Sequence, residues 1–275
     1  MKRIVLPIMV LFLIGCGAKL RQPEIPTGPS LKVMTWNVNW GGPAPELAVQ
    51  TILEADADIV CLQETTESWE RYLRERLSAR YPFMTFRPPS WRYAGGLAFL
   101  AKEPGEQVAF IPSDTGWFDA WIMRFRTQIG PVQIKNVHLQ PIANDAGSLT
   151  IAAYFSSGKK HEREIRRFNN GLAAGVPTLV VGDFNEGDGG SAVKWLEKQG
   201  MTNALPEFDR NSHTWWWDLG WITLRKRLDH ILYSPELHCH SACVLQAEAS
   251  DHLPVVAVFG LKQDEKKEGT GAAKD

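Results

Sequence analysis

From Thr178 to Gly187 the chain reads TLVVGDFNEG, and the other motifs are arranged around this stretch. Leu179 to Val181 are three consecutive aliphatic residues, which predict a short strand buried on both faces. We expect the strand to break at Gly182 and to present Asp183 and Asn185 at its carboxyl end, where α/β sheets place reactive groups. A carboxylate next to an amide can hold a water and a phosphate oxygen together. An ordinary turn is the alternative, because Gly, Asp and Asn are common in turns.

The composition is that of a globular protein with one large or two small domains. The chain has 275 residues, of which 44% are hydrophobic and 22% are charged, and this length can bury a substantial core. The formal net charge is −1, and it becomes more negative without the basic residues of the amino terminus. A mildly acidic surface disfavours a protein that coats itself with nucleic acid.

The amino terminus has the pattern of an export signal. Residues Met1 to Gly15 begin with Lys2 and Arg3 and continue as an apolar run that is too short to span a bilayer. The run ends before Cys16, as in bacterial lipoprotein signals, in which the cysteine is acylated and becomes the mature amino terminus. We therefore expect an exported protein with a lipid anchor in the membrane. Gly17, rather than Asp, follows the cysteine and favours the periplasmic side of an outer membrane; an ordinary signal peptide is the alternative.

Composition divides the remainder into three segments. Residues 16–30 are rich in Pro and Gly and predict a flexible, lipid-anchored tether. Residues 261–275 are charged and almost devoid of apolar side chains, which predicts a disordered tail. Residues 31–260 contain no repeat or long linker, so we expect one compact catalytic domain there.

The cysteines outside the signal leave two structural hypotheses open. Cys61 lies in an apolar run and is most simply a small buried hydrophobe. Cys239 and Cys243 are candidates for a disulfide in an exported protein, but on a straight strand their Cα atoms would be about 13 Å apart, too far to bridge. His238 and His240 alternate with these cysteines and suggest a metal cluster, although no second ligand pair with zinc spacing is visible.

Apolar periodicity predicts more strands than helices. Helices are expected at Pro45–Ala55, Glu67–Arg80, His161–Ala173 and Ser191–Lys198, with a loop or irregular helix at Pro141–Gly158. Strands are expected at Leu31–Asn37, Ala57–Leu62, Phe83–Arg87, Gly95–Ala101, Gln107–Ile111, Ala120–Thr127, Val132–Leu139, Leu179–Val181, Arg227–Tyr233, Cys239–Gln246 and Pro254–Phe259. Many neighbouring strands have hairpin spacing. A largely antiparallel core of two mixed sheets with helices outside therefore fits better than a parallel doubly wound fold.

The ends of the predicted strands carry a set of polar residues that share acid, amide or imidazole chemistry. They are Asn37, Glu64, His138, Asp183, Asn185, Asp229, Asp251 and His252. Each has a structural explanation on its own, such as a turn, a helix cap or a satisfied core histidine. Buried polar groups are costly unless they are paired or bind a metal, so their concentration indicates a functional site.

With these motifs the chain resembles the endonuclease/exonuclease/phosphatase superfamily, which includes pancreatic deoxyribonuclease, apurinic-site endonucleases, bacterial sphingomyelinases and inositol polyphosphate phosphatases. The resemblance rests on VCLQET, VVGDFNE and ASDHLPV, which occur in the family's order over residues 31–260. It implies an α/β four-layer sandwich of two packed mixed β-sheets flanked by helices.

The resemblance also implies a divalent-metal site. Glu64 matches the principal carboxylate ligand, with Asn37 and Asp251 as further candidates. Ligation by oxygen alone suits Mg²⁺ or Mn²⁺ better than zinc.

The same resemblance implies roles around a scissile phosphoester. Asp183 would orient or deprotonate the attacking water, and Asn185 would hold the phosphate. Asp229 would orient His252, which would contact a non-bridging oxygen. His138 would protonate the leaving oxygen. In relatives a carboxylate often pairs with that histidine, but the corresponding RYAGGL segment here has none.

The segment TWWWDLGWITLRKR, from Thr214 to Arg227, is the distinctive part of this chain. Trp215 and Trp217 could stack on a base, sugar or inositol ring or lie at a membrane interface, while Arg225 and Arg227 could meet phosphates. The alternative is a strand whose alternate Trp side chains pack inward beside a solvated basic turn.

These observations predict a membrane-anchored, metal-dependent phosphoesterase, most simply a phosphodiesterase that uses an activated water. Its substrate would be a small, lipid-linked or nucleic-acid phosphoester, and no protein partner is predicted. The alternatives are a DNA or RNA endonuclease of the same family and a catalytically silent protein that binds a phosphorylated ligand. A purely structural envelope lipoprotein would have no use for clustered metal ligands and histidines.

Overall fold

The computed structural model describes residues 20–42, 44–89, 93–114, 117–141, 151–218 and 220–262, apart from the side chains of residues 151–157. The predicted signal, Cys16 and nearly all of the predicted tail lie outside these ranges. No helix within the described ranges is both long enough and apolar enough to span a bilayer.

Strands dominate the described residues. They are β1 (Leu31–Asn37), β2 (Ile59–Gln63), β3 (Phe83–Arg87), β4 (Leu97–Ala101), β5 (Gly105–Ile111), β6 (Ala120–Thr127), β7 (Gly130–His138), β8 (Thr178–Asp183), β9 (Thr202–Asn203), β10 (Trp215–Asp218), β11 (Thr223–Lys226), β12 (Asp229–Tyr233), β13 (Leu237–Val244) and β14 (Val255–Leu261). The helices are α1 (Pro45–Ala55), α2 (Glu67–Leu77), α3 (Ile151–Phe168), α4 (Ser191–Lys198) and the short α5 (Leu205–Phe208).

Two six-stranded sheets form the centre of the molecule. Sheet A has the order β13-β14-β1-β2-β4-β3, and sheet B has the order β5-β6-β7-β8-β12-β9. In each sheet the central pair is parallel, β1 with β2 and β7 with β8, and the remaining pairs are antiparallel. The predicted mixed, largely antiparallel architecture is therefore confirmed.

Hydrophobic side chains make three buried layers. One apolar cluster lies between the sheets and contains residues such as Val33, Phe99 and Trp121. A second joins α1 and α2 to the outer face of sheet A, and a third joins α3 and α4 to the outer face of sheet B. The order is therefore helix, sheet, sheet, helix, which confirms the predicted four-layer sandwich.

Three local predictions need correction. The helix expected at His161–Ala173 begins earlier, at Ile151, and ends at Phe168, so it includes part of the Pro141–Gly158 segment for which a loop or irregular helix is predicted. Gly182 does not end its strand, since β8 continues to Asp183. β12 begins at Asp229, so Arg227 precedes it.

The amino-terminal residues that the structure describes contact the domain. The Arg21 amide donates to the Glu207 carbonyl at 2.8 Å, and the Glu24 amide donates to the His240 carbonyl at 2.8 Å. Arg21 also forms an ion pair with Glu207 at 2.7 Å. This part of the predicted tether therefore lies along β13, the edge strand of sheet A.

The structure resolves the cysteine question in favour of free thiols. Cys61 and Cys239 are buried, Cys243 is exposed, and none of these three is in a disulfide.

Candidate active site

Three neighbouring strands of sheet B bring three of the predicted residues side by side. His138 ends β7 opposite Asp183 at the end of β8, and Asp183 is in turn opposite Asp229 at the start of β12. The His138 Nε2 to Asp183 Oδ2 distance is 3.4 Å. The strand register therefore converts residues that are distant in sequence into one cluster.

Sheet A supplies the facing half of the site. Asn37 ends β1, and Glu64 directly follows β2, the parallel neighbour of β1. The Asn37 Nδ2 atom donates to Glu64 Oε1 at 3.0 Å and to Asp183 Oδ2 at 3.1 Å. One amide group thus connects carboxylates from both sheets.

The segment before β14 completes the cluster. The His252 ring lies 2.8 Å from Asp229 Oδ2 through Nδ1 and 3.7 Å from Asp183 Oδ2 through Nε2. Its backbone is held by Trp36, whose indole Nε1 donates to the His252 carbonyl at 2.9 Å. Ser250 donates its hydroxyl to the Asn37 carbonyl at 2.8 Å. The predicted Asp–His pair therefore exists, and sheet A positions its histidine.

Gly182 is required by the close approach of two strands. Its φ is +138°, and an added Cβ would overlap the Val137 carbonyl of β7. Only glycine tolerates both conditions. The glycine of the GDFN motif thus permits β7 and β8 to run together up to His138 and Asp183.

Two functional candidates adopt left-handed backbone conformations. Glu64 has a φ of 60° and Asn185 has a φ of 51°. Asn tolerates this region, but Glu is strained there by about 1 kcal/mol. The Asn185 amide donates to Asp183 Oδ1 at 2.8 Å, which stabilises the turn.

His252 is a buried cation. Burial disfavours its charge, but Asp229 and Asp183 outweigh this effect and raise the pKa of His252 to about 10. Both ring nitrogens face carboxylates, which agrees with a doubly protonated ring. We therefore assign His252 as the positive charge of the site rather than as a metal ligand. One ring nitrogen of His252 does lie within 4.8 Å of carboxylate oxygens of Asp183 and Asp229, close enough for the three to share a metal ion.

Burial raises the pKa values of the acids of the site, whereas for His252 burial by itself lowers the pKa. It raises the pKa of Asp183 to about 7, although the His252 charge opposes the shift. Burial also raises the pKa of Glu64, whereas a hydrogen bond from Asn37 opposes that shift. Asp183 can therefore exchange a proton near neutral pH, as a group that activates water must.

His138 is a neutral imidazole. Burial, together with the charge of His252, lowers its pKa to about 3. Its Nδ1 donates to the Ala94 carbonyl at 3.2 Å, and its ring stacks on Phe118 with centroids 3.8 Å apart. A carbonyl from the RYAGGL segment thus replaces the carboxylate partner whose absence was noted in the sequence.

A divalent cation fits the remaining donors of the site. The carboxylates of Asp183 and Asp229 lie within 3.7 Å of the cationic side chain of His252, and Asn37 connects Glu64 to Asp183. Asp229 Oδ1 is buried and has no hydrogen-bond partner among the described residues. Uncompensated buried acids of this kind favour a bound cation, and their oxygen atoms suit Mg²⁺ or Mn²⁺.

Asp251 contacts the other two predicted metal ligands, Asn37 and Glu64, less directly than predicted. It accepts a hydrogen bond from Asn39 Nδ2 at 2.8 Å, and Asn39 in turn donates its amide to Asn37 Oδ1 at 3.0 Å. Glu64 Oε2 accepts from the Trp40 amide at 3.1 Å. Asn37 and Glu64 are thus in direct contact, while Asp251 is linked to them through Asn39.

The tryptophan-rich segment forms a hairpin, β10–β11, which contacts the segment that carries Asp251 and His252. Trp215 pairs with His252 in an isolated β-bridge, and the Trp216 amide donates to the Asp251 carbonyl at 3.1 Å. The Trp215 and Trp217 rings are 6.5 Å apart. Trp217 and Arg225 are exposed. Three of the four predicted substrate-binding residues therefore lie on a surface beside the site.

Arg227 departs from that prediction. It is buried, and its guanidinium forms an ion pair with Asp188 at 2.7 Å and donates to the carbonyls of Ser212 and Asp209. These contacts occupy the guanidinium N–H groups that would otherwise bind a phosphate. Arg227 is therefore a structural residue that fastens the segment before β12.

Sequence reasoning missed the polar residues that support the site. Gln63 Nε2 donates to Asn136 Oδ1 at 2.7 Å and so connects β2 to β7 across the sheet interface. Glu186 accepts from the Ala192 and Val193 amides at the start of α4, and it pairs with His161 of α3 at 3.0 Å. Glu186 was visible in the quoted GDFNEG stretch, but no sequence signal connects it to His161.

Comparisons with known proteins identify the family and agree with the fold. The family model described as Endonuclease/Exonuclease/phosphatase family matches residues 34–252, a range that contains every candidate catalytic residue. No curated protein sequence matches the chain.

Solved structures share the fold at low sequence identity. The human Nocturnin catalytic domain with bound sulfate anion is 23% identical, with a TM-score of 0.64 over 87% of this chain and 96% of that chain. TDP2 from D. rerio complexed with single strand DNA product is 13% identical, with a TM-score of 0.63 over 84% and 99%. A protein from Beutenbergia cavernae DSM 12333 is 18% identical, with a TM-score of 0.62 over 85% and 72%. Because the family model spans most of the chain and the fold agrees, this protein belongs to the endonuclease/exonuclease/phosphatase family.

Proposed function

We propose that this protein is a divalent-metal-dependent phosphodiesterase that hydrolyses its substrate by in-line attack of a water. Its family includes metal-dependent phosphoesterases and nucleases. The observation that carries the proposal is the buried group of Asp183, Asp229 and His252, which faces Glu64 and Asn37 across the two sheets.

Asp183 is the proposed acceptor of the water proton. Its Oδ2 atom lies 3.1 Å from Asn37 Nδ2 and 3.7 Å from His252 Nε2, so it is oriented between an amide and a cation. The raised pKa of this carboxyl gives it an affinity for a proton near neutral pH. Asp183 is therefore suited to orient the nucleophile and to take up its proton.

His252 supplies positive charge to the phosphoryl group. Asp229 holds its Nδ1 proton at 2.8 Å, which leaves the Nε2 proton for a substrate oxygen. Neutral His138 has its Nδ1 proton on the Ala94 carbonyl and an unprotonated Nε2. In the proposed mechanism His252, rather than His138, consequently donates the proton to the leaving oxygen. Asn185 Nδ2 donates to the Leu139 carbonyl at 2.9 Å and to Asp183 Oδ2 at 3.3 Å, so Asn185 orients Asp183 rather than binding the phosphate as predicted.

Glu64 and Asn37 would hold the divalent ion, with Asp251 supporting them through Asn39. When bound, Mg²⁺ or Mn²⁺ supplies Lewis-acid stabilisation of the charge that develops on the phosphoryl oxygens.

The hairpin β10–β11 supports a substrate with a flat or lipid-like group next to the phosphate. Trp217 and Trp221 are exposed by 42% and 85%, respectively, and Arg225 is exposed beside them. With the acidic net charge, this surface favours a small or lipid-linked phosphodiester. A nucleic-acid substrate is the second candidate, since the TDP2 neighbour was solved with a single strand DNA product.

The test is hydrolysis of bis-p-nitrophenyl phosphate and of p-nitrophenyl phosphate by the purified chain, with Mg²⁺, Mn²⁺ or a chelator. We expect metal-dependent cleavage, faster for the diester, that is lost in Asp183→Ala and kept in Glu162→Gln, a partly exposed acid of α3. Single-stranded DNA and phospholipid vesicles then distinguish the substrate classes. Cleavage that persists in the chelator or in Asp183→Ala would refute the proposal.

We further propose that Cys16 is acylated and anchors the exported enzyme in the bacterial envelope. The motif at residues 1–16 supports this proposal. In a bacterial host, the wild-type protein should partition into membranes, and Cys16→Ser should release it into the soluble exported fraction. A wild-type protein found in the cytosol would refute it.

A further inference from the structure

A second cluster of metal-binding side chains lies on sheet A, at its β13 edge. His238 and His240 are two residues apart on β13, and both are partly exposed on the same side of the strand. Glu24 reaches them from the amino-terminal segment. Its Oε2 atom lies 2.8 Å from His238 Nε2 and 3.4 Å from His240 Nδ1.

These distances match a tetrahedral metal site. Ligand atoms about 2.1 Å from a zinc ion lie about 3.4 Å from one another in a tetrahedron. All three candidate ligand atoms lie within 4.8 Å of one another. Two imidazoles and one carboxylate form a ligand set that zinc and similar transition metals favour over Mg²⁺.

His240 directs a coordinating atom at the Glu24 carboxylate, since its Nδ1 lies 3.4 Å from Glu24 Oε2. Its Nδ1 is buried and forms no hydrogen bond with the described residues. Gly260 on β14 makes room for the ring, because a Cβ there would come within 2.7 Å of His240 Nε2. An unsatisfied buried ring nitrogen in a polar cluster is costly unless a ligand uses it.

The cluster is accessible from solvent. His238 and His240 line a cavity of about 510 Å³ together with residues 27–29 and the end of β14. This opening gives an ion a path to the histidines and leaves space for a water as the fourth ligand.

Arg21 is the charged neighbour that opposes a cation here. Its Nη2 atom lies 3.2 Å from His238 Nε2 and 3.1 Å from Glu24 Oε1. Glu207 holds the other end of the guanidinium at 2.7 Å. A metal on Glu24 Oε2 would replace the 2.8 Å hydrogen bond between Glu24 and His238 and displace the Arg21–His238 contact, while Arg21 could continue to orient Glu24 through Oε1.

We propose that Glu24, His238 and His240 form a second metal site, for zinc or a similar transition-metal ion, that clamps the amino-terminal segment onto β13. The site is separate from the catalytic carboxylates and does not depend on the proposed reaction. Since Glu24 follows Cys16 in the chain, a metal there would set where the proposed anchor segment leaves the domain.

The test is calorimetric titration of the metal-stripped full chain with Zn²⁺, with excess Mg²⁺ present to compete for the catalytic carboxylates. We expect binding that weakens at least about tenfold in His240→Ala and in Glu24→Gln. His213→Ala, a partly exposed histidine outside the cluster, should bind like the wild type. Unchanged Zn²⁺ affinity in either cluster variant, or loss of binding only in Glu64→Gln, would overturn the proposal.

Hydrogen exchange provides a second readout, and phosphodiester cleavage shows in the same experiment that the variant is folded. Zn²⁺ should slow exchange of the Glu24 amide in the wild type and leave it unchanged in His238→Gln. Phosphodiester cleavage with Mg²⁺ should be the same in both proteins. Equal protection of the Glu24 amide by Zn²⁺ in both would contradict the site.

Discussion

Two buried histidine–carboxylate pairs lie at the GDFNEG motif, and their surroundings differ. His252 lies 2.8 Å from Asp229, and His161 lies 3.0 Å from Glu186. Both ring nitrogens of His161 have partners, because Nδ1 pairs with Glu186 and Nε2 donates to the Gln140 carbonyl at 2.6 Å, and Glu186 also accepts three backbone amides of α4. Around His252 the bonding is incomplete.

The incomplete bonding supports the proposal that His252–Asp229 is the functional pair. His252 Nε2 is 3.7 Å from Asp183 Oδ2, too far for a hydrogen bond, and Asp229 Oδ1 has no partner among the described residues. A satisfied buried network stabilises a fold, whereas groups left unsatisfied are available to a substrate or ion. We therefore interpret His161–Glu186 as structural and His252–Asp229 as catalytic.

The largest expected effect is on catalysis at Asp183. We expect Asp183→Asn to lower kcat for bis-p-nitrophenyl phosphate by about 10³–10⁴-fold, since it removes the proton acceptor. Its raised folded pKa means that the ionised carboxyl costs stability as pH rises above the unfolded value. The free energy of unfolding at about pH 8 should therefore not fall. A variant that loses stability and activity together would break the comparison.

The next largest effect is on stability at Glu186. Glu186→Ala removes the cap of α4 and leaves His161 without its counter-charge, so we expect the free energy of unfolding to fall by about 3 kcal/mol. Urea titration followed by circular dichroism measures this. Activity per folded molecule should be retained, and its selective loss would assign Glu186 to the catalytic apparatus.

The pH dependence of stability tests His161 itself. Burial lowers its pKa, but Glu186 outweighs this effect, and the net pKa is raised above the usual value of 6.5. The stabilisation is therefore complete below about pH 6.5 and is lost as pH rises through the folded pKa, at up to about 1.4 kcal/mol per pH unit. The difference in unfolding free energy between wild type and His161→Gln should shrink in that direction. Burial lowers the pKa of His213, so for the comparison variant His213→Gln the difference should change in the opposite direction with pH. A difference independent of pH for His161→Gln would contradict a charged His161.

The smallest expected effect concerns the hairpin next to His252. Trp217→Ala should raise KM for an aromatic or lipid-linked diester about threefold to tenfold with little change in kcat, because it removes binding surface without touching the reacting groups. Leu53→Ala, an exposed apolar residue of α1, is the matched control. A change in kcat alone would place Trp217 in the chemistry rather than in substrate binding.

Much of the fold could be predicted because the apolar patterns of the individual strands and helices agree with the way these elements pack in the sheets and layers. α1, α4, β1, β3 and β6 have their predicted bounds. The clustering of Asn37, Glu64, His138, Asp183, Asp229 and His252 could also be predicted, since polar groups at the ends of buried strands are conspicuous. The role of Arg227 could not, because its partners Asp188 and Asp209 are distant in sequence. The Ala94 carbonyl that binds His138 is a backbone group and leaves no sequence signal.

Matched substitutions in the two pairs test the central claim most directly. Asp229→Asn and Glu186→Gln each neutralise the carboxylate beside a buried histidine, so kcat/KM and urea unfolding should be measured for both. The account predicts that Asp229→Asn lowers kcat/KM by about 10³-fold or more with the smaller loss of stability, and that Glu186→Gln lowers stability while kcat/KM per folded molecule stays unchanged. Equal losses of kcat/KM in the two variants would contradict the assignment of His252–Asp229 as the catalytic pair.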